Sequence, residues 1–194
     1  MSNTLTIAQL WRRLLIDVEL ARNYPLASFD VVGAQARNPI LERLLPSLLL
    51  VKAVAVLDAA ISEYVASRGL SIPRGTYGTS LNGKIEFLVD ESIFPDGDDL
   101  HRIRDVRNVI AHDANGDTTW SALDNDIGTL NGALKTLGFV GDPPRLEFFA
   151  ERRTMDKPDR PDALFGFRHV FGVKEDSRLV ATVEHKQYVM KDDT

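Results

Sequence analysis

The chain has 194 residues, 44% of them hydrophobic and 26% charged, with a formal net charge of −5 and no cysteine. Length and balance are those of an ordinary globular protein with room for one domain and a small appendage. Disulfides, thiolate metal sites, iron–sulfur clusters and Cys nucleophiles are excluded, and the mild acidity speaks against a broad, sequence-independent nucleic-acid binder.

Met1 to Ile7 lacks a basic stretch followed by an apolar run, so a signal peptide is not expected. Over residues 5 to 22, Leu10, Leu14, Leu15, Val18 and Ala21 recur at helical spacing between charged residues. Pro25, Gly33 and Pro39 mark an irregular segment. Asn38-Pro39 reads as a helix start, with a capping side chain before a residue of preset φ. That helix should run toward Gly69, with Pro46 kinking or restarting it. Its apolar stretch, Leu48 to Ile61, is broken by Lys52 and Asp58 and reads as a buried helix too short to span a bilayer. Residues 69 to 80 read as a loop, followed by a short helix near Leu81 to Asp90 and a turn at Phe94 to Gly97. Asp98 and Asp99 suit the first turn of a helix running to about His112. A last helix is expected from Trp120 to Leu137, stopped by Gly138. Trp11 and Trp120 read as core anchors.

Composition changes at Gly141 to Pro144. Phe165, Phe167, Phe171 and Val173 then alternate with other residues at the period of a strand. Lys174 to Ser177 is turn-like, Leu179 to Met190 reads as a second strand, and residues 145 to 153 are ambiguous between strand and helix. The expected fold is mainly α: a bundle of four or five helices over residues 1–140, with a small β-hairpin extension over 141–194.

Several strings resemble binding motifs. Gly78 to Ile85 matches a phosphate-binding loop except that Ile85 stands where Ser or Thr would hold magnesium, and no buried strand precedes it. It reads as a helix–helix connection. Asp96 to Asp99 has the wrong spacing for a calcium loop and fits a helix N-terminus. His101, His112, His169 and His185 are the four histidines, and none has zinc-ligand spacing. No metal or other cofactor is expected.

The most informative segment is Leu100 to His112. At about 100° per residue, Ile103, Val106 and Ile110 share one side, with Val109 at its edge. His101, Asp105, Asn108 and His112 cluster within about 60° on the opposite side, with Arg104 beside them and Arg107 on the flank. One reading is a solvated amphipathic helix with internal pairs. Against it stand the choice of His and Arg over Lys, and Asp113, placed to orient the His112 imidazole.

The string Arg107-Asn108-Val109-Ile110-Ala111-His112, preceded by Ile103-Arg104, resembles the Arg–polar–spacer–His signature of the HEPN superfamily. The likeness extends over residues 40 to 137 as a helix pattern and is specific at 100 to 113. One branch of toxins carries a Tyr two residues after the His, where this chain has Ala114. Mannitol-repressor-like proteins are similar bundles and are regulators. The resemblance implies a cytoplasmic homodimer that cleaves RNA without metal at the interface between two motif helices, as in toxin–antitoxin or phage-defence systems, with an antitoxin protein as a possible partner and no membrane association. A neutral His112 would take the 2′-hydroxyl proton, since imidazole titrates near neutral pH. Arg107 would hold the scissile phosphate, Asn108 would orient His112 or the phosphate, and Arg104 and His101 would extend the substrate-binding surface. The products would be a 2′,3′-cyclic phosphate and a 5′-hydroxyl. The alternative is a non-catalytic bundle, a transcriptional regulator or interaction module, using the same helix as a polar interface.

Overall fold

The structure is a computed structural model that describes residues 5–23, 39–113, 116–156 and 159–190. Pro25, Gly33, Asn38 and Ala114, which enter the sequence reading, lie outside them. Among the described residues are six helices, α1 Ile7–Asn23, α2 Pro39–Ser67, α3 Arg74–Tyr77, α4 Leu81–Asp90, α5 Asp98–His112 and α6 Trp120–Thr136, followed by strands β1 Leu146–Met155, β2 Ala163–Glu175 and β3 Arg178–Met190. The expectation of a mainly α bundle with a small hairpin is overturned. The strands form a three-stranded antiparallel sheet in the order β1-β2-β3, and the fold is mixed α and β. The chain divides into two compact units, Met1–Leu15 with Pro25–Pro143, and Ile16–Tyr24 with Pro144–Thr194. The two halves of α1 therefore belong to different units.

In the first unit α2 is the central element, packed by α4, α5 and α6. Leu50, Ala53, Val54, Leu57, Ala60 and Ile61 are almost wholly buried along it, at the three- and four-residue steps of a helix face. At 29 residues, and with a mean hydropathy of 2.1 in its most apolar window, α2 has the length and composition of a membrane span, longer than the stretch picked out in the sequence. Here it is the core helix. It passes through Pro46 without restarting. Next to it, the Ser47 hydroxyl donates to the Arg43 carbonyl at 2.7 Å and accepts from the Thr118 backbone N–H at 3.1 Å. Trp11, 2% exposed, donates its indole N–H to Asn131 on α6 at 2.8 Å, satisfying a polar atom in the core. Trp120 is only half-buried.

The segment read as a loop over 69–80 contains the single turn α3. Gly78 to Ile85 is the start of α4, not a phosphate loop. Ser80 caps the helix by accepting from the Gly83 N–H, and Lys84 donates to Asp58 and Ser62 on α2, each at 2.7 Å. Gly83 has no room for a side chain, because a Cβ there would lie 1.6 Å from the Tyr77 carbonyl oxygen. The glycine thus reflects close packing of α3 on α4.

In the second unit β1 resolves the ambiguous stretch 145–153 as a strand paired with β2 from Leu146↔Glu175 to Met155↔Gly166. Its adjacent Phe148 and Phe149 serve opposite faces, which hid the period-two signal. Phe148 stacks near Phe171, with ring centroids 6.4 Å apart. Phe149 lies over Gly172, where a Cβ would come within 2.5 Å of its ring. Asp176 and Ser177 join β2 to β3 with φ of 46° and 67°, the positive pair of a two-residue hairpin turn.

Two outcomes test these assignments. Ile103 is 1% exposed whereas Ile110 is half-buried, so Ile103→Ala is expected to lose about 2–5 kcal/mol and Ile110→Ala clearly less, by denaturant unfolding. In the sheet unit, hydrogen bonds from Lys186 and Tyr188 lower the Asp159 pKa to about 2. A carboxyl group whose folded pKa lies below its unfolded value of ~3.9 adds stability above that value, and loses it as pH falls toward 2. Asp159→Asn should accordingly flatten the acid limb of the stability–pH profile between about pH 4 and pH 2.

Candidate functional site

Helix α5 carries every residue singled out for chemistry. Asp98 and Asp99 occupy its first turn, in the favourable sense for the helix dipole, and His112 its last. It packs against α2, α4 and α6. Its core-facing side is turned relative to the sequence reading. Leu100 and Ile103 are the two buried residues, at 6% and 1% exposure, while Val106 and Ile110 are half-buried and Val109 is 52% exposed. On the helix projection Arg107 lies about 20° from Leu100 and about 40° from Ile103. Its position is therefore beside the core, not on an open flank.

This position shapes the guanidinium environment. Arg107 is half-buried, and its Nη1 donates to the Asn108 side-chain oxygen at 2.9 Å. Its Nε is buried and lacks a hydrogen-bond partner among the described residues. A buried N–H without an acceptor is unfavourable by roughly 1–3 kcal/mol, and an incoming anion would relieve that cost. Arg107 and Asn108 are thus brought together by direct contact. His112 is exposed, and no side-chain hydrogen bond or ion pair holds its imidazole among the described residues. Five residues of helix separate it from Arg107, a rotation of about 140°. Within one chain these two groups point in different directions.

The two residues expected to extend the substrate surface have local partners. His101 Nε2 lies 3.0 Å from a Glu86 carboxylate oxygen on α4, and its Nδ1 is buried without a partner among the described residues. Arg104 pairs with its neighbour Asp105. Along the helix axis His101 lies about 16 Å and Arg104 about 12 Å from His112. Sequence reasoning missed Arg102, which donates from Nη2 to Asp126 on α6 at 2.7 Å and reaches Asp99 at 3.5 Å. The Asp126 side chain is only 2% exposed, and its hydrogen bond raises the Arg102 pKa above the ordinary arginine value. The signal was an Asp on the apolar side of α6, between Leu123 and Leu130. Buried carboxylates require a partner.

Among the described residues, no three His, Asp or Glu side chains are grouped so as to hold a metal ion. No protein-family model matches the sequence, and no curated protein or solved structure is significantly similar to it.

The two Arg–Asp pairs of α5 differ in burial, and this predicts different energetics. Arg102→Ala strands the buried Asp126 carboxylate and should lose about 3 kcal/mol in chemical denaturation. Arg104→Ala removes a pair whose acid is 62% exposed, and should shift stability by less than about 1 kcal/mol.

Proposed function

We propose that the protein is a metal-independent endoribonuclease of toxin or phage-defence type, acting in the cytoplasm as a homodimer with two α5 helices around one cleft. The observation that carries this reading is the half-buried Arg107 guanidinium, held by Asn108 and retaining an unpartnered Nε. It is a preorganised anion donor next to a low-dielectric core, where a charge-assisted hydrogen bond is strongest. In this reading Arg107 grips the scissile phosphate. The exposed imidazole of His112 takes the 2′-hydroxyl proton, and the 2′ oxygen attacks the adjacent phosphorus. The 5′ oxygen leaves with a proton from water or from the second protomer, giving a 2′,3′-cyclic phosphate. The wide angle between Arg107 and His112 on one helix favours a composite site, with the phosphate clamp of one chain serving the base of the other. An antitoxin-like protein would mask that cleft.

A second reading is a non-catalytic regulator or interaction module. The engagement of His101 by Glu86 and of Arg104 by Asp105 favours it, since these ties give both residues a structural use.

The test is RNA cleavage in EDTA with end-group analysis. Cyclic phosphate ends and an inert DNA control of the same sequence are expected, and strict magnesium dependence would sink the proposal. His112→Ala should abolish cleavage while shifting stability by no more than about 0.5 kcal/mol, because the side chain is exposed. Arg107→Lys preserves the packed stem and the charge but loses the planar fork, so a large loss of activity with a folded protein is expected. Wild-type cleavage by either variant would remove that residue from the mechanism, and absence of cleavage by the wild-type protein would transfer the assignment to the interaction module.

A further inference from the structure

The two faces of the sheet in the second unit differ in charge chemistry. One carries Glu151, Arg153, Arg168, Glu184 and Lys186, and these are internally paired. Arg153 meets Glu151 at 2.8 Å, Arg168 meets Glu184 at 3.1 Å, and Lys186 meets Asp159 at 2.8 Å. The other face is built from the register rows Phe148–Val173–Ala181 through Thr154–Phe167–Gln187, which contain no carboxylate; its one acid, Glu175, lies a row beyond them at the hairpin end, opposite Arg178. In a chain with 28 acidic residues and a net charge of −5, that is a local reversal of the overall balance.

The same face concentrates planar groups. Phe167 lies 5.6 Å from Phe165 and 6.4 Å from His169, which in turn lies 6.3 Å from both Phe171 and His185. The Arg152 guanidinium sits 3.6 Å from the Phe167 ring centroid, and no carboxylate pairs with it among the described residues. Phe165 is 39% exposed, Arg152 and His185 are exposed, and Phe167 and His169 are half-buried. A purely apolar partner would leave Arg152 and the imidazoles unsatisfied. An acidic peptide would match the charge but not the array of rings. Bases on a phosphodiester chain match both, because aromatic and guanidinium planes stack on bases while the cation meets phosphate. Neighbouring rings are 5.6–6.4 Å apart, well beyond the ~3.4 Å step of stacked bases. Successive bases can occupy successive rings only if they are splayed, which excludes a duplex.

We infer that the face of the sheet bearing Phe165, Phe167, His169, His185 and Arg152 binds single-stranded nucleic acid by stacking bases on its rings and pairing phosphate with Arg152. The inference rests on the sheet alone and does not require cleavage at α5. It is compatible with an acidic protein because the cationic surface is local.

The experiment uses the full chain carrying His112→Ala, so that cleavage does not consume the probe. Fluorescence anisotropy is read with a labelled uridine oligonucleotide of about 12 nucleotides, its thymidine DNA counterpart and a duplex of equal length; single-strand sites of small binding domains span ~4–16 nucleotides. Saturable single-strand binding that weakens with salt is expected, with the duplex at least about tenfold weaker. Tighter binding of RNA assigns the face to RNA through its 2′-hydroxyls, and equal or tighter binding of DNA assigns it to single strands of either sugar. Arg152→Glu and Phe167→Leu should each weaken binding about tenfold or more, while Phe167→Tyr retains it. Arg152 is exposed on an edge strand and Leu keeps apolar bulk at 167, so both variants should remain folded, as circular dichroism would verify. No single-strand binding at low salt, or unchanged binding by both loss variants, overturns the inference.

Discussion

A helix with apolar side chains on most of its circumference must be covered on several sides, and α2 imposes that constraint on the first unit. Its buried residues run from Leu49 to Val65 and meet α4, α5 and α6. At roughly 25 cal/mol per Å² of apolar surface removed from water, this burial supplies the main favourable term for the unit. The polar ties are placed around it: Lys84 to Asp58, Trp11 to Asn131, and Thr118 to Ser47. Each satisfies a group that packing would otherwise strand, so their role is to select one arrangement of the helices around an apolar core.

The chemistry proposed for α5 follows from that packing. Because α5 is wedged among α2, α4 and α6, its buried arc turns toward Leu100, and Arg107 is drawn alongside the core. A half-buried guanidinium keeps fewer water contacts than a surface one and holds a more fixed geometry. These are the properties a phosphate clamp needs. The same packing engages Arg102 with Asp126 and His101 with Glu86, which ties α5 to the helices on both sides. A helix anchored in this way can present a polar surface to a second copy without losing its own position.

The sheet unit uses a different economy. Its central strand β2 is paired on both edges, and Gly172 yields space to Phe149 on one face while Phe167, His169 and Phe171 line the other. Charges are paired within the first face and left open on the second. Alternation along a strand makes such a division possible, since each residue is committed to one face.

The helical segments were legible in the sequence because their signals are local. Apolar spacing, the acidic start of α5 at Asp98 and Asp99, and Gly69 and Gly138 after helices all act within a few residues. So did the cluster of Arg and His on α5, which a resemblance to one superfamily had brought forward. Tertiary structure decided the rest. Residues 146 to 155 became a strand because β2 offered an edge, a choice their own mixed pattern did not make. Pro46 stayed inside one helix, so of the two outcomes its local preference allows, a kink or a restart, the restart did not occur. The rotation of α5 that brings Arg107 beside the core depends on three helices distant in sequence, as does the pairing of Arg102 with a buried Asp126. Periodicity shows that a helix has an apolar side, but neighbouring elements set the direction that side finally faces.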